Sequence, residues 1–164
     1  MKALEPPDSF YLDDARSLLE SGDPKGSKRK LAKIAEGLRL HPDVREVLWG
    51  IHAQLSEWPA CLDIAQAIVN SAPERPTGWI KRSFVLHRLK RTQEALDNLF
   101  AAVEVFPEIA IIPYNLACYA AQLQCLWEAE QWLKRAFEIG GREYEEMALR
   151  DRMLKSLWKS IGKR

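Results

Sequence analysis

Chemistry in this chain would have to come from three histidines, three cysteines and a few clustered charges. His41, His52 and His87 lie far apart, and none stands at a metal-ligand spacing from another or from a cysteine, so no metal site is expected. Cys118 and Cys125 are about two helical turns apart. A redox pair would need the intervening turn to bring the sulfurs together, whereas buried small hydrophobes need nothing further, and that reading is preferred. The adjacent acids Asp13-Asp14 and Glu145-Glu146 would project to different sides of a helix, which suits solvation rather than acid–base catalysis. No GxSxG elbow, phosphate loop or glycine-rich dinucleotide loop occurs. The expectation is a protein that is not an enzyme and holds no cofactor.

Two basic runs remain. Lys25, Lys28, Arg29, Lys30 and Lys33 follow one another without an intervening acid, and Lys81, Arg82, Arg88, Lys90 and Arg91 gather around His87. Nucleic-acid binders concentrate charge in this way, but in strongly basic domains with interleaved aromatics. The 24 basic and 23 acidic residues here leave a net charge of +1, so solvated helix faces or a patch for an acidic peptide fit better than RNA. No apolar run approaches the ~18 residues of a membrane span. MKALEPPDSF has no apolar signal core, and an odd number of cysteines without a CxxC suits a reducing compartment. A cytoplasmic protein is expected.

Helices must carry these side chains. Between Trp79 and Phe106, Trp79, Ser83, Leu86 and Leu89 recur on one helical face; Lys90-Arg91-Thr92 interrupts, with Thr92 as the expected N-cap; then Ala95, Leu99, Ala102, Val103 and Phe106 form a second face. Small Ser83, Ala95 and Ala102 fall where two helices joined by so short a turn must pack closely. Residues 1–7 read as a loose leader. Asp8 or Ser9 would cap a helix bearing Tyr11, Ala15, Leu18 and Leu19, and SGDPKGS at 21–27 reads as an enlarged turn before a partner helix from Leu31 to Leu40. Asp43–Leu55, capped by Asp43, and Pro59–Val69 form the next pair. A last pair starts near Pro113 and turns at Gln124-Cys125-Leu126 into Trp127–Ile139, with Gly140-Gly141 as its C-cap. Core packing is the default for the six tryptophans, with Trp58 and Trp127 half-exposed at turns.

The pattern repeats at a spacing of 34: Leu55, Leu89 and Leu123 (89−55, 123−89), and likewise Ala95 and Ala129, Leu99 and Leu133, Ala102 and Ala136, Pro73 and Pro107. Cys61 and Ile68 fill the same slots one period earlier. This resembles the tetratricopeptide repeat, with its early aromatic, its small residues at helix contacts and its closing proline. The match is strongest over residues 76–107, good over 110–141 and weaker over 42–73. The segment YEEMALRDRMLKSLW is similar to the end of some bacterial tetratricopeptide proteins, with Arg150, Arg152 and Met153 in place of an acid-proline pattern; it is read as a cap.

The resemblance implies an all-α chain: an α–α superhelix, a right-handed solenoid of about four helical hairpins in one domain over 1–164. Its repeats would be a degenerate 8–41, then 42–75, 76–109 and 110–141, with a capping helix at 142–161. It implies a non-enzymatic scaffold or adaptor that holds a peptide or helix of a partner protein in a concave groove. The positions carried over to that groove are Glu46, Val47, Gly50 and Gln54; Thr77, Ile80, Lys81, Phe84, His87 and Arg88; and Tyr114, Asn115, Cys118 and Gln122. Grooves that clamp the C-terminal carboxylate of heat-shock chaperones use lysine and asparagine where Ile80 and Phe84 stand, so that subtype is disfavoured. The alternatives are a chaperone like those of type III secretion and an RNA-binding helical repeat, whose affinity would fall steeply with salt.

Overall fold

Prolines and polar caps set where the helices begin. The computed structural model describes residues 3–162, and among these every regular element is helical. The elements are α1 (Asp8–Glu20), α2 (Pro24–Leu31), α3 (Pro42–Gln54), α4 (Trp58–Ser71), α5 (Pro76–Arg88), α6 (Thr92–Phe100), α7 (Ile111–Gln122), α8 (Leu126–Gly140), α9 (Arg142–Ala148) and α10 (Trp158–Ile161). Short 3-10 segments stand at Glu36–Leu38 and Arg152–Leu157. The second helix of each pair begins at Pro24, Trp58, Thr92 or Leu126, at intervals of 34 residues (58−24, 92−58, 126−92).

One turn into each of those helices stands a small residue: Ser27, Cys61, Ala95 and Ala129, all with no exposed surface. The Ser27 hydroxyl donates to the Ala15 carbonyl at 2.7 Å, and the Cys61 thiol donates to the Trp49 carbonyl at 3.7 Å. A larger side chain at this slot would force the paired helices apart.

The turns into these helices share one geometry. Gly22, Ser56, Lys90 and Gln124 have positive φ (83, 58, 65 and 64°) and again lie 34 apart (56−22, 90−56, 124−90). At each, the residue's N–H bonds back three residues and the next N–H bonds back five. Examples are Lys90 to His87 O and Arg91 to Leu86 O, both at 2.9 Å. This satisfies carbonyls left open at a helix C-terminus. The first turn is therefore not enlarged, as the sequence suggests, but built like the other three.

The chain forms two compact units that divide between Gly78 and Trp79. In the first, Leu12, Ala15, Leu31, Ile34, Val44, Val47 and Ile51 make a buried cluster. Leu4 packs against it, so that part of the expected leader is not loose; residues 1 and 2 lie outside the described ones. The partner helix expected from Leu31 to Leu40 is instead α2, which ends at Leu31. Pro24 suits a first turn and the Asp23 carboxylate accepts from Gly26 N–H at 2.8 Å, so the apparent turn sequence contains a helix start. His41, not Asp43, caps α3, accepting from Asp43 N–H at 3.2 Å. Asp43 pairs with Arg75, and Asp8 accepts from Ala35 N–H at 2.8 Å.

In the second unit, α6 stops at Phe100 rather than at Phe106. Ala102 and Val103 bond back to Leu99 and Phe100, a tighter i−3 pattern, while Ala102, Val103 and Phe106 remain buried. Thr92 is the first helical residue and Arg91 its cap. The segment expected as one capping helix at 142–161 is α9, a 3-10 stretch and α10. Asp151 interrupts it in extended conformation, accepting from Met153 N–H at 2.9 Å. Leu154, Leu157 and Ile161 are nevertheless buried.

Three of the four turn residues adopt positive φ without being glycine. Gln124→Gly is expected to stabilise the chain by about 0.5–1 kcal/mol, the relief of the Cβ clash exceeding glycine's entropy cost. A urea midpoint equal to or below the parent's would show that Gln124 carries no such strain.

Candidate functional site

The sequence-derived groove positions fall into three groups with different surroundings. On α5, Ser83 and Val85 have no exposed surface and Leu86 is buried, whereas Phe84 between them is 40 % exposed. Phe84 therefore lies on the outward side of the helix. Ile80 and Lys81 are half-buried and Arg88 is exposed. At three- and four-residue spacings they share its side. Trp79 is half-buried rather than core, and the Arg82 guanidinium stands 5.0 Å from its ring.

His87 is half-buried. Its Nδ1 lies 3.1 Å from Thr92 Oγ1, and its ring packs tilted on Tyr119 at 5.2 Å. Burial, then the nearby Lys90 and Arg88 charges, hold its pKa below the usual 6.5, so it is neutral at pH 7. Tyr119 is buried, which pushes its hydroxyl up to about 12, and it donates to Ser83 Oγ at 3.4 Å.

On α7 the expected groove is closed by the chain itself. Tyr114 and Cys118 are each 3 % exposed, which corrects their assignment to an open surface. The Tyr114 hydroxyl donates to Asp151 Oδ2 at 3.0 Å and the Cys118 thiol donates to the same oxygen at 3.6 Å. Gln122 donates to the Met153 carbonyl at 3.0 Å, and Tyr144 meets the Tyr114 ring edge-on at 5.6 Å. Burial, reinforced by the Asp151 charge, holds Tyr114 and Cys118 protonated far beyond their ordinary ranges. Asn115 is half-buried on the same helix.

In the first unit, Glu46 accepts from the Thr77 hydroxyl at 2.7 Å, Gln54 donates to the Leu19 carbonyl at 2.7 Å, and Val47 is buried. Val47 is thus core, not groove. Gly50 is half-buried, and a Cβ on it would sit 2.6 Å from a Leu19 methyl.

Asp151 is the residue that sequence reasoning missed. It caps the 3-10 segment and holds two α7 side chains; the available signal was an acid two residues ahead of an apolar run. The cysteines form no disulfide, Cys118 facing Asp151 and Cys125 being exposed. Among the described residues, no group of three or more His, Cys, Asp or Glu is placed to hold a metal ion. No described helix is long and apolar enough to cross a membrane.

No family model and no curated protein matches the chain. Solved structures do. A MamA from Desulfovibrio magneticus RS-1, spanning residue 41 to its end, is 18% identical, with a TM-score of 0.74 over 98% of this chain and 92% of that one. The thermophilic TPR protein TTC0263 of Thermus thermophilus is 19% identical, with a TM-score of 0.73 over 94% and 83%. A further MamA crystal structure is 14% identical, with a TM-score of 0.73 over 84% and 80%. The chain has the all-helical fold of tetratricopeptide-type repeat proteins.

Because the folded-state pKa of His87 is depressed, its contribution to stability is present above the unfolded value and is lost as pH falls below about 6.5. The melting temperature is expected to drop more steeply between about pH 7 and about pH 5 in the parent than in His87→Gln. Parallel curves would show that His87 titrates freely.

Proposed function

We propose that this chain is a non-enzymatic scaffold or adaptor that binds a segment of another protein along the outward side of α5. It would be built from repeats at 8–41, 42–75, 76–109 and 110–141 and closed by 142–161. The observation that carries the binding reading is Phe84. A phenylalanine 40 % exposed in the middle of a helix, on the same side as Lys81 and Arg88, offers an apolar anchor with a positively charged rim. Such a surface suits a helix or extended segment that carries an acid beside a large apolar residue. Three cysteines that form no disulfide fit a reducing, cytoplasmic setting.

Anchor and rim should act on different rates. Burying Phe84 supplies holding energy, whereas Lys81 and Arg88 speed encounter through their long-range field. A partner can be identified by affinity capture from the native host, purified and measured by surface plasmon resonance. Phe84→Ala is then expected to raise the dissociation rate about tenfold with little change in association. Lys81→Glu with Arg88→Glu is expected to slow association, and the parent's association rate should fall as salt rises. A folded Phe84→Ala that binds as the parent does would remove α5 as the binding surface.

A further inference from the structure

α2 ends after eight residues, whereas α4 runs for 14. Where α2 gives out, a cavity of about 200 Å3 opens, lined by Lys28, Leu31 and Ala32 at its end, Arg39 of the connector, and Val44 and Leu48 of α3. Leu31 and Val44, 6 % and 3 % exposed, belong to the buried cluster of the first unit, with Leu48 partly buried against it, so the cavity is floored by the edge of that core. The rim is cationic. Within the basic run, Lys30 pairs with Asp14 at 2.6 Å, Arg29 lies 4.0 Å from Asp23, and Lys33 stands 5.7 Å from the Tyr11 ring. Lys28 and Arg39 are the cations that line the cavity. Arg39 is fixed there: its Nε donates to the Ile34 carbonyl at 3.2 Å and its Nη2 to the Ala32 carbonyl at 3.1 Å. A pre-organised guanidinium loses little further freedom when it meets a carboxylate.

We propose that this cavity is a second docking site, for a protein segment in which an aspartate or glutamate stands next to one large apolar side chain. The apolar group would enter between Leu31, Val44 and Leu48 while the carboxylate meets Lys28 and Arg39. The volume lies below the roughly 300–1,000 Å3 of sites for drug-sized ligands, and admits about one side chain. An anionic membrane would call on a broad charged face rather than two cations at one small cavity. The site does not depend on the α5 surface and stands or falls separately from it.

The test is a titration of the full-length, 15N-labelled chain with the peptide acetyl-Gly-Ser-Asp-Phe-Ser-Gly-amide, read by amide chemical shifts. Saturable shifts are expected at Ala32, Val44 and Leu48. Replacing the peptide's Asp by Asn or its Phe by Ala, or making Lys28→Glu in the protein, is expected to weaken binding by about fivefold or more. Ala32→Trp, which fills the cavity from its exposed rim, should abolish the shifts. No shifts at these amides, shifts confined to the Phe84 region, or equal binding of the three peptides would each overturn the proposal. So would Lys28-dependent sedimentation with phosphatidylserine vesicles in the absence of peptide binding, which would make the surface a membrane contact.

Discussion

Ser27, Cys61, Ala95 and Ala129 leave no surface to water, and each stands one turn into the second helix of its hairpin. No residue larger than cysteine occupies the slot, so the paired backbones can approach closely there. Close approach demands a short connection, and the chain supplies one by putting Gly22, Ser56, Lys90 and Gln124 in the left-handed region. For the three that carry a Cβ, that conformation costs about 1–2 kcal/mol each and persists because the packing on either side over-determines it. Small slot and strained turn are thus two parts of one constraint, and it recurs in the same phase through the chain.

Within the second unit, the same constraint produces two helices with opposite relations to solvent. Ile80, Phe84 and Arg88 on α5 stand 34 residues before Tyr114, Cys118 and Gln122 on α7 (114−80, 118−84, 122−88). Phe84 is exposed, whereas Cys118 is covered by the returning segment that carries Asp151 and Met153. The segment around Asp151 and Met153 meets on α7 the positions that correspond to Ile80, Phe84 and Arg88 on α5. The price of that closure is a carboxylate beside a thiol and a phenol, which Asp151 manages by accepting from both.

Much of this was legible in the sequence, because the small slot and the apolar faces are written in residue type. Ala95, Ala129 and Cys61 mark the repeat, and an all-helical hairpin fold follows from them. Ser27 escaped notice because a hydroxyl does not read as core until its acceptor, the Ala15 carbonyl, is in place. SGDPKGS reads as a loop by composition, yet Pro24 opens α2 inside it; proline signals a helix start only when the residues after it pack. The left-handed turns at Ser56 and Lys90 carry no glycine to announce them. The candidate site was less legible. Sequence phase places Phe84 and Cys118 on equivalent faces, and only the return of a segment some 33 residues on, bringing Asp151 to the thiol, separates an open surface from a sealed one.

The most direct measurement is the reactivity of the native chain's thiols toward an aromatic disulfide, resolved by peptide mass mapping. Sealing of α7 by the segment around Asp151 predicts that Cys125 reacts at once while Cys118 and Cys61 stay protected until denaturant is added. Native-state modification of Cys118 at the rate of Cys125 would contradict it, because α7 would then be as open as α5.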